Sequence, residues 1–250
     1  MGKIDKSKYT KEEYRSLKRK LQQKKLKRER KNNPISQPNI IEKPVELPKT
    51  SGVTAFVIGN GTSRRGIDID ALMNHGIVYG CNALYRNHRP HHLIAVDVKM
   101  VMEINREGYN VHNSVWTNYN KAYEKFKNLN YFKPSKGWSS GPTALNLAIE
   151  NGAKTIYILG FDYKGLSNGS KFNNMYADTN NYKKSTDGAT YHGNWLKQTK
   201  TVIQQHTKVQ FVRVVEPDTF MPEDLKFSNL QTLHKETFIN LFNSCFNIPE

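Results

Sequence analysis

The sequence has few cysteines and no long hydrophobic run. Cys81 and Cys245 are the two cysteines among 250 residues, and their separation fits neither a disulfide framework nor a metal-binding spacing. No apolar stretch approaches the roughly 20 residues that a membrane-spanning helix needs, and the charged N-terminus lacks the apolar core of a secretion signal. These absences predict a cytoplasmic protein with reduced thiols and no membrane span.

Several motifs of nucleotide and metal chemistry are also missing. No G-x-x-x-x-G-K-[ST] sequence occurs, which disfavours a P-loop kinase or ATPase. The dinucleotide fingerprint G-x-G-x-x-G fails, because Gly59 and Gly61 are followed by a third glycine only at Gly66. The sequences H-E-x-x-H and C-x-x-C are absent as well.

Positive charge is concentrated near the N-terminus. The formal net charge is +16, and residues 1–50 hold 16 lysines and arginines against 6 acidic residues. Residues 1–31 are therefore predicted to form a basic arm, either a helix or a solvated, disordered segment. Its lysines and arginines at 3–31 are candidates for contacts with nucleic-acid phosphates. Four prolines within 32–52 predict a linker, so the folded domain should begin near residue 53.

From residue 53 onward, apolar β-prone segments alternate with helical ones. This alternation predicts an α/β fold, a single Rossmann-like, doubly wound and mainly parallel sheet over 53–216. The polar stretch 164–190 is expected to be a lid-like insert, and 217–250 a C-terminal appendage with one helix at 230–242. Strands are predicted at 53–58, 77–81, 93–96, 114–117, 155–159 and 209–215, with helices at 67–73, 99–107, 141–152 and 195–206.

The stretch from Thr54 to Ser63 is the centre of the predicted site. An apolar strand runs into Gly-Asn-Gly-Thr-Ser, where Gly59 and Gly61 carry no Cβ and let a phosphate or ribose approach the backbone. A helix starting near 63–67 would aim its free N–H groups at an anion. The alternative is a tight β–α turn in which Ser63 caps a helix.

Polar residues also follow other predicted strands or begin a helix. Because the carboxyl ends of parallel strands meet at one edge of a sheet, these residues should converge there. Pro142 suits the start of a helix, whose free amides make a second anion site. The residues expected at this edge are Asn60, Ser63, Asn82, Asp97, Ser140, Gly141, Asp162 and Tyr163.

The order of the motifs G-N-G-x-S, C-N, S-S-G-x-x-A and I-Y-I-L-G-x-D-[FY], then a histidine before a helix, resembles the bacterial sialyltransferases that use CMP-sialic acid. The resemblance covers about residues 53–215. It implies a metal-independent glycosyltransferase-like enzyme with a nucleotide-sugar co-substrate, CMP-linked, and no tightly bound cofactor. It assigns the nucleotide to Gly59, Asn60, Gly61, Ser63 and Asn82, the ribose or phosphate to Ser140 and Gly141, and the leaving phosphate to Tyr157 or Tyr163.

The same resemblance makes His192 the general base that removes a proton from the acceptor hydroxyl. An ordinary histidine pKa of about 6.5 suits this role near neutral pH.

Two other hypotheses remain open. The segment from Pro90 to Asp97 and the glycine turn are similar to the 6-hydroxymethylpterin diphosphokinase-like family, which implies ATP and Mg²⁺ with Asp97 and Asp162 near the metal. The basic arm instead favours a nucleic-acid-binding protein, with a domain that is non-catalytic or that modifies nucleic acid. Nothing in the sequence marks an acceptor.

Overall fold

The computed structural model describes residues 53–243, which build one eight-stranded parallel sheet. The strands are β1 (Val53–Ile58), β2 (Ile77–Cys81), β3 (His92–Ile94), β4 (Val115–Thr117), β5 (Leu129–Tyr131), β6 (Ala153–Leu159), β7 (Gln210–Val215) and β8 (Leu230–His234). Their order across the sheet is β5-β4-β3-β2-β1-β6-β7-β8, and every pairing is parallel. The predicted α/β class is therefore confirmed.

Residues 53–243 contain five α-helices, of which four lie between strands and one follows the last strand. They are α1 (Val98–Arg106), α2 (Tyr109–His112), α3 (Ser140–Glu150), α4 (Gly193–Gln205) and α5 (Lys235–Asn243). Within residues 53–243, no helix is both long and apolar enough to cross a membrane. The predicted arm at 1–31 and linker at 32–52, with the proposed nucleic-acid contacts, lie outside the described residues.

The sheet is covered on both faces, as expected for a doubly wound fold. Alternate side chains of β1 point to opposite faces. Ala55 and Val57 belong to a core that includes residues of α3 and α4, while Phe56 and Ile58 belong to one that includes residues of α1 and α5. This two-sided burial explains why β1 is apolar along nearly its whole length.

The C-terminal part differs from the prediction. The strand at 209–215 is not the last, because Leu230–His234 forms β8 and pairs with β7. The helix predicted at 230–242 therefore begins only at Lys235. Its residues Phe238 and Phe242 pack on the Phe56 ring, at centroid distances of 6.2 and 5.1 Å, so this segment completes the sheet and the core.

Two further local predictions are wrong. The short strand β5 at Leu129–Tyr131 was not predicted. The helix predicted at 67–73 is replaced by a 3-10 turn at Ala71–Asn74. Thr62–Arg64 is likewise only a 3-10 turn, so no α-helix follows the glycine turn after β1.

Candidate functional site

A cavity of about 340 Å³, called here the first cavity, opens at the carboxyl edge of the sheet. The chain leaves β1 toward β2 on one side and returns to β6 on the other, which makes β1/β6 the topological switch point. Open α/β sheets bind ligands in the crevice at this point. The predicted residues that line the cavity are Gly59, Asn60, Gly61, Asn82, Asp97, Ser140, Gly141, Asp162 and Tyr163.

The turns after β1 and β6 are packed directly against each other. A Cβ on Gly59 would lie 2.6 Å from the Gly160 carbonyl oxygen, and one on Gly61 would lie 2.4 Å from Cγ of Asp162. Gly160 itself has a φ of +67°, a conformation that glycine adopts readily. The missing side chains of these glycines therefore let the two protein turns approach, rather than leaving space for a ligand.

The amide groups of the glycine turn are already bonded to protein acceptors. The Gly61 amide donates to the Gly160 carbonyl at 2.9 Å, and the Thr62 amide donates to Oδ1 of Asn173 at 2.9 Å. The Ser63 amide donates to the Asp162 carboxylate at 3.1 Å. The expectation that Ser63 and its neighbours present free amides to an anion is therefore wrong, and Ser63 lies outside the lining of the first cavity.

The second predicted anion site is different. Ser140 and Gly141 are the first two residues of α3, and the opening amides of a helix have no partner within it. No acceptor among the described residues is paired with either amide, and both residues line the first cavity. The start of α3 therefore presents unpaired amides to the first cavity, a geometry that suits an anion.

A hydrogen-bond chain fixes the start of α3 to the strand ends. The Ser140 hydroxyl donates to Oδ1 of Asn82 at 2.8 Å and accepts from the Val96 amide at 3.2 Å. Asn82 adopts a φ of 52°, which asparagine tolerates better than most residues. Because Oδ1 is engaged and no acceptor among residues 53–243 is paired with Nδ2, the Asn82 amide group keeps donors for a ligand.

Asn60 joins the glycine turn to the insert. Its Nδ2 donates to the Cys81 carbonyl at 3.0 Å and to the Tyr182 hydroxyl at 3.3 Å. Its Oδ1 is buried, and no donor among the described residues is paired with it. Unsatisfied buried acceptors are uncommon in proteins and point to a missing partner.

Tyr182 is a site residue that the sequence did not reveal. Its hydroxyl accepts from Asn60 and, at 3.4 Å, from the Ala83 amide. Burial raises the Tyr182 pKa to about 12, so the phenol stays protonated. The hydroxyl oxygen accepts both of these hydrogen bonds. The hydroxyl group can therefore donate its own proton to a ligand in the first cavity, which Tyr182 lines.

The insert at 164–190 lies on the carboxyl edge and closes one side of the first cavity. The Met175 amide donates to the Asn60 carbonyl at 2.7 Å, and Asn173 bonds to Thr62. Residues of the insert that line the cavity are Lys164, Gly165, Phe172, Asn173, Asn174, Tyr182, Ala189 and Thr190. The insert thus lies over the first cavity, where a lid was predicted.

An ionic network holds the far end of the insert. The Glu103 carboxylate accepts from Arg86 at 2.6 Å, from the Tyr85 hydroxyl at 2.6 Å and from Nδ2 of Asn181 at 2.6 Å. Arg86 also donates to the carbonyl of Asn180 at 2.9 Å. Burial opposes ionisation of Glu103, but these hydrogen bonds outweigh it and lower the pKa.

The two predicted tyrosines differ in their position relative to the first cavity. Tyr157 lies outside the cavity lining, because its side chain points into the core and stacks on Phe56 at 5.4 Å. Tyr163 lines the cavity, but its hydroxyl is buried and its ring lies under the Arg213 guanidinium at 5.2 Å. Burial raises the Tyr163 pKa to about 12. The position of Tyr157 corrects its proposed contact with the phosphate, whereas the contact proposed for Tyr163 stays a prediction.

His192 lies beside the first cavity rather than in its lining. It immediately precedes α4, and its neighbours Thr190 and Trp195 do line the cavity. Its ring packs on the Phe220 ring at 5.8 Å. Burial and the charge of Lys164 lower the His192 pKa, so the imidazole is a neutral base at neutral pH.

The carboxylates fit a metal poorly. Among residues 53–243, no group of three or more histidine, cysteine, aspartate or glutamate side chains is arranged to hold a metal ion. Asp97 and Asp162 both line the first cavity, but both oxygens of Asp162 already accept from Ser63. The residue set therefore does not favour the Mg²⁺ site of the diphosphokinase hypothesis.

Comparison with protein-family models, with curated proteins and with solved structures gave no match to this chain.

Proposed function

We propose that the protein is a glycosyltransferase-like enzyme that binds a nucleotide-activated sugar, CMP-linked, in the first cavity. The observation that carries this proposal is the position of the cavity at the β1/β6 switch point, with the start of α3 opening into it. The cavity volume of about 340 Å³ lies in the range of small-molecule sites.

The polar groups of the cavity match the parts of a nucleotide. The amides of Ser140 and Gly141 suit a phosphate, because the helix start carries partial positive charge. The Tyr182 hydroxyl and the Asn82 amide group supply further donors, while Oδ1 of Asn60 supplies an acceptor. Donors and an acceptor together suit a ligand that carries both phosphate oxygens and exchangeable hydrogens.

The base of the reaction is His192 in its neutral form. A neutral imidazole accepts the proton of the attacking acceptor hydroxyl, and the lowered pKa keeps it unprotonated at neutral pH. The His192 side chain is beside the first cavity and not in its lining. It must therefore move toward the reacting atoms when both substrates are bound. No metal is needed for this step.

Calorimetric titration with CMP, UMP, AMP and GMP tests the binding half of the proposal. We expect CMP to bind, and a folded protein that binds none of the four nucleotides would contradict the assignment.

Turnover of CMP-sialic acid, followed as CMP release, tests the catalytic half. His192→Gln should reduce turnover by roughly 10²–10⁴-fold while CMP affinity is retained. The matched control is His206→Gln, at the opposite end of α4. Equal turnover of the two variants would remove His192 from the mechanism.

A further inference from the structure

A second cavity of about 340 Å³ lies beside the first and shares part of its wall. Asp162, Lys164 and Asn173 belong to the linings of both cavities. The segment after β7 supplies Asp218 and Phe220 to the second cavity alone. The site therefore has two adjoining compartments that share residues of the turn after β6 and of the insert.

His192 lines neither cavity but is adjacent to lining residues of both. Its ring contacts Phe220, which lines the second cavity, while Thr190 and Trp195 on either side of it in sequence line the first. Lys164 lines both cavities, and its Nζ lies 5.5 Å from the centre of the Phe220 ring. A base in this position can serve a group that enters from the second cavity.

The second cavity offers the groups that bind a neutral polyhydroxylated molecule. Phe220 provides an apolar aromatic wall. Glu216 is paired with Lys235, whereas no cation among the described residues is paired with the Asp218 carboxylate. Carboxylates accept hydrogen bonds from hydroxyl groups, and the lining adds hydroxyls of its own. The further polar residues of the lining are Thr62, Ser63, Ser167, Asn168 and Thr219, besides Asn173.

The charge of the cavity argues against a nucleic-acid strand as its ligand. The lining contains the carboxylates of Asp162, Glu216 and Asp218 and one ammonium group, that of Lys164, while Lys235 outside the lining pairs with Glu216. A surface in which carboxylates outnumber cations repels a phosphate backbone. An excess of carboxylates does not repel a neutral sugar, because the sugar carries no charge.

We propose that the second cavity is the acceptor subsite and that its ligand is a sugar. This inference rests on the proposed function of the first cavity. The acceptor hydroxyl oxygen forms a bond to the anomeric carbon of the donor sugar, and the bond from that carbon to the nucleotide phosphate oxygen breaks. The phosphate leaves with the electron pair, and the hydroxyl proton passes to His192.

Saturation-transfer NMR on the full chain tests the subsite with three probes, the methyl glycosides of glucose, galactose and N-acetylglucosamine, each with and without CMP. The variants are Asp218→Asn, which keeps the shape, and Asp218→Trp, which fills the cavity. Asp224→Asn is the matched control, because Asp224 lies in the same segment, is exposed and pairs with Lys200. Circular dichroism verifies that each variant is folded.

We expect a saturation signal for at least one glycoside, and about tenfold weaker binding in Asp218→Asn, since hydrogen bonds to a charged group are lost. Asp218→Trp should abolish the signal, Asp224→Asn should keep it, and CMP affinity should be the same in all variants. No glycoside signal in the wild type, or equal signals in both Asp218 variants, would overturn the subsite. Glycoside binding through Asp218 without any CMP binding would refute the proposed function but support the sugar site.

Discussion

The Asp162 carboxylate accepts hydrogen bonds from the amide and the hydroxyl of Ser63, at 3.1 and 2.5 Å. The two residues lie in the turns after β6 and β1, so this pair joins the two sides of the switch point. Gly61 lies against the same carboxylate. The protein thus places its own carboxyl group where a phosphate-binding turn would receive its ligand, and the start of α3 is the phosphate site that we propose instead.

Gly61→Ala should destabilise the protein by about 1–3 kcal/mol, because the new methyl group would overlap the Asp162 carboxylate. The free energy of unfolding in urea, measured by circular dichroism, gives the effect. Gly188→Ala is the control, since no atom lies within 4 Å of the position of its Cβ and its φ is not left-handed. Equal stabilities of the two variants would show that the turns do not pack as described.

The sequence predicts the central strands well and the outer ones poorly. The strands β1 and β6 are buried on both faces, which requires continuous apolar stretches that are visible without a structure. The edge strand β8 is only partly buried, and its Leu230 and Leu233 are spaced as on a helix. Its pairing with β7 overrides that pattern, and such pairing depends on contacts distant in the sequence.

The site residues, too, are predictable where a local pattern places them and unpredictable where a contact is distant in the sequence. Asn60, Asn82 and Ser140 come together as predicted, because each sits at the end of an element whose position the fold dictates. Tyr182 reaches Asn60 across 122 positions from a segment with no periodic pattern, so no local signal predicts the contact. Tyr157 was predicted to contact the leaving phosphate, but side chains alternate along β6 and that of Tyr157 points into the core.

Ser140→Ala tests the anchoring of the helix start. The change removes the hydrogen bonds that join Asn82 and Val96 to α3, so we expect nucleotide affinity to fall about tenfold through loss of orientation. Calorimetry with CMP gives the dissociation constant. Ser114→Ala, before β4 at the opposite edge of the sheet, should leave the constant unchanged. An unaltered constant in Ser140→Ala would contradict the proposed role of this helix start.

Glu103→Gln should release the insert without unfolding the sheet. The variant loses the charge that holds Arg86 and Asn181, and we expect faster hydrogen exchange of the amides at 176–183. Loss of a largely buried pair costs about 3 kcal/mol. Glu107→Gln is the control, because its pair with Arg106 is exposed and contributes little. Unchanged exchange at 176–183 would refute the anchoring role.

The pH dependence of the same network has a definite sign. Hydrogen bonds to the ionised Glu103 lower its pKa in the folded protein below the ordinary value of 4.5. Its contribution to stability is therefore present above pH 4.5 and is lost as the pH falls through the lowered pKa. Exchange at 176–183 should accelerate, relative to the rest of the sheet, only in this acid range.

Lys164→Met tests the electrostatic control of His192. The Lys164 charge, together with burial, holds the His192 pKa below 6.5, so removing the charge should raise that pKa toward its ordinary value. In the proposed reaction the neutral imidazole is the base, so kcat/KM should rise with pH through the His192 pKa and then level off. The acid limb should therefore move to higher pH in Lys164→Met. Lys208→Met, beyond the far end of α4, should leave the limb in place. An acid limb that is unshifted in Lys164→Met would exclude His192 as the titrating base.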